Sequence, residues 1–194
     1  MIQSRYASDL TDEEWALLEP LLTRTHPAGC KQTYSLRRIV RRIVDAVVYL
    51  LRTGAQWRFL PHEYPPPDAV FYHYARWRRD GTWERINTVL RERHRQRIGR
   101  TRQPSAAIID SQSTKTTEMG GPRGYDGGKK SGKKISGRKR HLLVDTQGTL
   151  LKAYVHEADV HDRRGAEFLL YGVQHLFPAI QLMWGDSAYR GLKD

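Results

Sequence analysis

The sequence predicts an α+β / α/β chain in two parts, a basic helical domain over residues 1–100 and an α/β domain over residues 101–194. Three observations lead there. Apolar residues recur at three- and four-residue steps through the first hundred positions, the period of helices packed on one face. After "GRTRQPS" (99–105) the pattern changes to short apolar runs separated by glycine-, proline- and lysine-bearing stretches. The formal net charge is +12, which favours a polyanionic partner, whether DNA, RNA or an acidic membrane surface.

The elements follow in order. In "SDLTDEEWALLEPLL", Thr11 with Glu14 three residues on forms a capping box, and Leu10 and Trp15 bracket it as a hydrophobic staple. Trp15, Leu18 and Leu22 then share a face, and "THPAGCKQTY" ends the helix. The second helix, "SLRRIVRRIVDAVVYLLRTG", repeats Leu36, Ile39, Val40, Ile43, Val44, Val47, Leu50 and Leu51 at helical spacing. Ser35 is placed to cap it and Gly54 to end it. Arg37, Arg38, Arg41, Arg42 and Arg52 occupy much of the remainder, and suit phosphate contacts or a solvated face equally. Pro61 to Pro67 make a turn. Asp68 can cap a helix over "AVFYHYARWRR", and "TWERINTVLRERHRQR" makes another, burying Trp83, Ile86, Val89 and Leu90. Arg76, Arg78 and Arg79 interleave with aromatics that could stack on bases, although core packing accounts for most of those rings. A helix–turn–helix-like DNA-binding domain fits this half.

In the second half, "AAIID" reads as a buried strand ending at Asp110. "GGPRGYDGGKKSGKKISG" has the composition of a mobile loop. "RKRHLLVDTQGTLLKAYVHEAD" reads as a hairpin, with one strand through Val144, a turn at "DTQG" and a return from Leu150 to Val155. Asp162 is expected to cap a helix over "RRGAEFLLYGVQHLF", and "AIQLMWGDS" is a last strand ending near Asp186.

Asp110 and Asp186 thus each end a short apolar strand of one sheet. As parallel neighbours, ~5 Å apart, the strands would bring two carboxylates together. Such a pair repels unless one is protonated or a cation lies between them. Hard ions such as Mg²⁺ prefer these ligands and can activate a water or hydroxyl for attack on phosphorus. The plainer reading is that both aspartates cap turns.

Rival motifs fail on their surroundings. "GGKKSGKK" mimics a phosphate-binding loop, but Lys134 stands where serine or threonine is needed and a strand follows instead of a helix. "HEADVHD" gathers potential zinc ligands with no matching set elsewhere. Ser111 and Ser113 sit in no nucleophile elbow. Lys129, Lys130, Lys133, Lys134, Arg138, Lys139 and Arg140 lie between the first two strands, where they could neutralise a DNA backbone beside Asp110. No apolar run approaches the ~20 residues of a membrane-spanning helix. The start of the chain is too polar for a secretory signal, and the single cysteine, Cys30, suits the cytoplasm.

Several stretches together resemble the transposases of bacterial insertion sequences, in the group named after insertion sequence five. They are "TDEEWALLEPLL", "RTGAQWRFLP", "RWRRDGTWERI", "IIDSQSTKTTE", "GGPRGYDGGKK", "GRKRHLLVDTQG", "ADVHDRRGAE" and "WGDSAYRG", and they run from about residue 8 to the end. The resemblance implies a ribonuclease-H-like mixed sheet with helices, carrying an Asp, Asp, Glu triad whose aspartates match Asp110 and Asp186. It implies two Mg²⁺ or Mn²⁺ ions, double-stranded DNA as partner (element terminal repeats and target), self-association on DNA, and a cytoplasmic, nucleoid-associated protein. The family's glutamate lies downstream of the second aspartate, and no residue after Asp186 fills its place. The expectation is therefore an incomplete catalytic domain, truncated at its C-terminus and inactive alone, with apolar surface open around Ala179 to Trp184. Two other readings stay open: a non-catalytic DNA-binding remnant of such an enzyme, and an unrelated basic RNA-binding protein.

Overall fold

A computed structural model describes residues 6–22, 34–116, 121–127 and 134–189, without the side chains of 34–36. Contacts divide the chain into two compact units, Met1–Ile86 and Asn87–Asp194. The chain is mixed α+β, with helices first and a mixed sheet after them.

The first unit holds α1 (Asp12–Leu22), α2 (Tyr34–Thr53), α3 (Pro67–Arg79) and the start of α4 (Thr82–Arg97). The capping box forms: the Glu14 N–H donates to Thr11 Oγ1 and the Thr11 N–H to Glu14 Oε2. Gly54 closes α2 at φ +68°, its N–H donating to the Leu50 carbonyl, as a left-handed C-terminal glycine does. The core gathers Trp15, Leu18 and Leu22 with Ile43, Val44, Val47, Leu50, Val70, Trp77 and Ile86. Two starts differ from expectation. α2 begins at Tyr34, and α3 begins at Pro67, with Pro66 at its cap and Asp68 inside its first turn. Proline at the first helical position gives up no bonded N–H, so it takes the place expected of a capping side chain.

The second unit carries strands β1 (Ala106–Lys115), β2 (Gly124–Asp126), β3 (Ile135–Asp145), β4 (Leu150–Glu157) and β5 (Leu182–Trp184), with helices α5 (Asp162–Leu170) and α6 (Val173–Leu176). β3 pairs antiparallel with β1 on one side. On its other side β2 pairs with Ile135–Gly137 and β4 with Arg138–Val144. β5 adds to β1 in parallel after the α5–α6 crossover. Ala107, Ile109, Leu143 and Leu151 pack with Ala166, Leu169, Val173 and Phe177 from the crossover.

Four sequence expectations change here. β1 does not stop at Asp110 but runs to Lys115, because β3 offers partners as far as Gly137. The cap of α5 is His161, whose Nδ1 accepts the Arg163 N–H, and Asp162 lies in the first turn. The helix itself breaks at Gly172, φ +73°, before α6. On α4, Ile86 is buried and Leu90 is exposed; Arg91 and Arg95 take the buried positions instead.

Candidate active site

β1 supplies Asp110 and the turn after β5 supplies Asp186. The parallel register sets Ala106 opposite Leu182, Ala107 opposite Met183 and Ile108 opposite Trp184. Both aspartates stand two residues beyond that last pair, so the topology brings them to the same level on neighbouring segments. Asp110 Oδ1 accepts the Ser111 N–H at 2.8 Å, and Asp186 Oδ1 accepts the Ala188 N–H at 2.8 Å. Both side chains are exposed. Gly185 lets the strand end lie close: a Cβ there would stand 2.7 Å from Ile109 Cγ2.

Beneath the pair lies a buried polar group that the sequence reading did not single out. Tyr189 ends the 3₁₀ turn Ser187–Tyr189, and its N–H donates to the Asp186 carbonyl. Its hydroxyl lies 3.3 Å from His141 Nδ1. Burial, reinforced by the charges of Asp162, Asp186 and Asp110, pushes the phenol up to about 12. His141 is fully buried and stacks on His156 with ring centroids 4.9 Å apart. Burial, then the neighbouring His156, pushes it down to about 4. Ser111 Oγ also donates to Asp162 Oδ1 at 3.4 Å, and Asp162 pairs with Lys139 Nζ at 2.8 Å. Strict alternation along β3 was the missed signal: Lys139, His141, Leu143 and Asp145 all point inward.

The basic residues divide into distinct groups. Arg41 pairs with Asp12 and donates to the Leu10 carbonyl; Arg42 pairs with Asp9 at 3.0 Å and Asp45 at 3.4 Å and covers the Tyr64 ring. Both are tied into the helical unit, while Arg37 and Arg38 are exposed, Arg37 lying 3.5 Å from Glu19. Arg78 and Arg79 are exposed and Arg76 is half-buried. Lys139 is buried, held by Asp162, by Asp126 at 3.8 Å and by the Val160 carbonyl. Arg140 is exposed and bonds Gln112, Arg138 donates to the Pro122 carbonyl, and Lys134 is exposed. Lys129, Lys130 and Lys133 lie outside the described residues.

Asp110 and Asp186 suit a hard divalent ion as ligands. They are exposed oxygen donors, and each commits Oδ1 to a local N–H. Among the described residues no group of three or more His, Cys, Asp or Glu side chains could hold a metal ion. Bound to an ion, the pair would supply two carboxylate ligands. No described helix is long and apolar enough to cross a membrane.

Two family models match the chain. Residues 10–87 match the family described as "Putative transposase of IS4/5 family", and residues 101–194 match "Transposase DDE domain". The chain is also 31% identical over 83 residues to an uncharacterized 16.2 kDa protein of insertion element IS402 from Burkholderia cepacia. That match covers 42% of this chain and 56% of the relative, so the chain spans just over half of the relative's length. No solved structure matches. One transposase model covers the helical segment and a second the segment that bears both aspartates, so along most of its length the chain is similar to transposases of bacterial insertion elements.

Proposed function

We propose that this protein acts in metal-dependent DNA strand cleavage and transfer at the ends of an insertion element. The observation that carries the reading is the β1–β5 register, which levels Asp110 with Asp186. An antiparallel β1–β3–β4 meander, a helical crossover and a return strand parallel to β1 support a ribonuclease-H-like domain around that pair. The helical unit serves as a helix–turn–helix-like DNA-binding module, and double-stranded DNA at element ends and target is the partner, with self-association on DNA.

Divalent ions, when bound, supply Lewis acidity to the phosphodiester and favour the ionised attacking oxygen. Asp110 and Asp186 hold them on the exposed end of the sheet. Arg37, Arg38, Arg78, Arg79, Lys134 and Arg140 are exposed and can neutralise phosphates, displacing counterions from the duplex. Arg41, Arg42 and Lys139 act from within the fold through their ion pairs. Among the described residues the site offers this pair of carboxylates, so binding of DNA and of a divalent ion are the activities expected first.

A gel-shift series tests this, with element-end DNA, random DNA and structured RNA at several salt concentrations, for wild type and Asp110→Ala. Preference for element ends, retained in the variant, together with Mg²⁺-dependent nicking lost in it when a partner polypeptide supplies the third carboxylate, is the expected result. Equal or tighter binding to RNA would overturn the reading.

A further inference from the structure

We propose that the open face of the sheet is a track for an unpaired DNA strand, running from Asp110 past the Arg140–Gln112 pair to a base-stacking ring at Tyr125; this rests on the reading of the second unit as acting on DNA. Side chains alternate across a strand, and directly opposed residues share a face. Ala107 and Ile109 of β1 are buried under the crossover helices, so Asp110 and Gln112 do not share a side: Asp110, with Gln112 two residues on, turns away from them and is exposed. The registers set Arg140 opposite Gln112 and Arg138 opposite Thr114, and Tyr125 of β2 opposite Ser136, all on that outer face. The face changes character along β1. On one side of Asp110 lie Ile108 and Trp184, paired and exposed. On the other lie the polar and basic pairs. A phosphate backbone leaving the aspartates is favoured toward the polar half, where a cation meets it.

Arg140 is the cation best placed. It is exposed and diagonal to Asp110, and its Nη2 donates to Gln112 Oε1 at 2.6 Å, which draws the guanidinium toward β1. A guanidinium oriented at one nitrogen keeps its other donors for a phosphate. Tyr125 pairs with Ser136, six positions along β3 from Leu142, the partner of Asp110, so it stands roughly 20 Å further along the strands. Its ring is 55% exposed, yet the backbone that carries it is pinned on both sides. Asp126 accepts Ser113 Oγ at 2.6 Å and pairs with Lys139 at 3.8 Å. Arg138 Nε donates to the Pro122 carbonyl at 3.2 Å, and Gly124 packs on Asp159 with no room for a Cβ. A tyrosine held out on a fixed strand loses little freedom on binding and presents a π-face to any base. Bases within a duplex are stacked on one another, so the ring fits an unpaired strand. The charges agree. Arg123 and Lys134 are exposed beside β2 and Arg138 is half-buried, while Asp126 and Asp159 lie on its inner side and Glu157 faces Arg138.

The test uses the full chain in EDTA, so that no binding result depends on metal. Fluorescence anisotropy is measured on a blunt duplex, on the same duplex with a short unpaired tail, 3′ or 5′, that carries 2-aminopurine, and on a structured RNA. Wild type is expected to bind one tailed duplex about tenfold more tightly than the blunt one, within the range of one stacked base, and to quench the 2-aminopurine. Tyr125→Ala is expected to remove both effects, and Tyr125→Phe, which keeps the ring, to preserve them. Arg140→Ala is expected to weaken tailed binding and to lower its salt slope by about 0.7, the share of one phosphate on a single strand, with far-ultraviolet circular dichroism unchanged. DNA binding with no preference for either tail, or a tail preference that survives Tyr125→Ala, overturns the track. A loss in Tyr125→Phe equal to that in Tyr125→Ala overturns stacking as its basis. Preference for the RNA over every DNA probe overturns the DNA reading itself. Mn²⁺ binding insensitive to Asp110→Ala overturns the metal reading and leaves the track standing on the metal-free affinities.

Discussion

At the scale of single residues, three buried ionisable groups in the second unit are best explained by their partners. Asp145 is fully buried. Burial alone would raise its pKa, but the Thr149 and Gln147 N–H groups and the Arg95 guanidinium outweigh that and hold the carboxyl below its usual range. Removing one partner strands a buried charge, so Arg95→Ala is expected to cost about 3–5 kcal/mol in chemical denaturation. The depressed pKa makes this stabilisation present above the usual carboxylate range and lost in acid, as pH falls through the folded value. His141 acts in a higher window. Its folded pKa, about 4, lies below the ordinary 6.5, so only the unfolded chain takes up a proton between those values. Stability is expected to fall as pH drops from 6.5 toward 4, by on the order of 3 kcal/mol in all. His141→Leu should flatten that slope in urea titrations. A wild-type midpoint that stays level across the window would contradict the buried neutral imidazole.

At the scale of elements, local chemistry was legible and pairing was not. Thr11 and Glu14 make the reciprocal bonds of their motif because a capping box depends on four consecutive residues. The β3–β4 turn was equally readable, since Asp145 and Gly148 specify it between two apolar runs. The length of β1 was not, because Ser111 to Lys115 are polar and become strand only through their partners on β3. Nor was the cap of α5, where His161 and Asp162 both carry acceptors and the helix starts one residue early. The helix's first turn shows how tightly the layers meet. Gly165→Ala would gain up to about 1 kcal/mol of helix propensity. Its methyl would land 2.2 Å from His141 Nε2 and 2.4 Å from His156 Nε2. Overpacking of that kind costs ~1–3 kcal/mol, and at such distances the upper end applies. A net loss of about 1–2 kcal/mol is expected from thermal unfolding, and a stabilised variant would mean that α5 rides higher on the sheet.

At the scale of the whole molecule, composition bears on the proposed partner class more directly than on the contact residues. A charge of +12 is a property of the full sequence, whereas the fate of each arginine depends on packing. Arg41 and Arg42 share a helix with Arg37 and Arg38, yet Asp9, Asp12 and Asp45 claim the first two. Asp9 and Asp12 lie far away in sequence, where no periodicity reveals them; Asp45, three residues after Arg42 on the same helix, sits at a readable spacing. The two kinds of arginine should therefore separate by experiment. Arg38→Ala is expected to weaken DNA binding and lower the salt slope by about 1, with melting unchanged. Arg41→Ala is expected to lower the melting temperature. The two aspartates were read as strand ends; Asp186 follows β5, but Asp110 lies inside β1, and their levelling comes from the parallel register that the crossover through α5 and α6 creates. The exposed apolar residues Leu182, Met183 and Trp184 fall where an open sheet edge was expected.

The central claim is that Asp110 and Asp186 share a divalent ion, and Mn²⁺ titration of wild type, Asp110→Ala, Asp186→Ala and the double variant tests it most directly. Each single variant should weaken binding by at least about tenfold, and the double variant should be little worse than either, because both side chains serve one ion. Wild-type affinity in both single variants, or independent losses that add fully in the double, would contradict it.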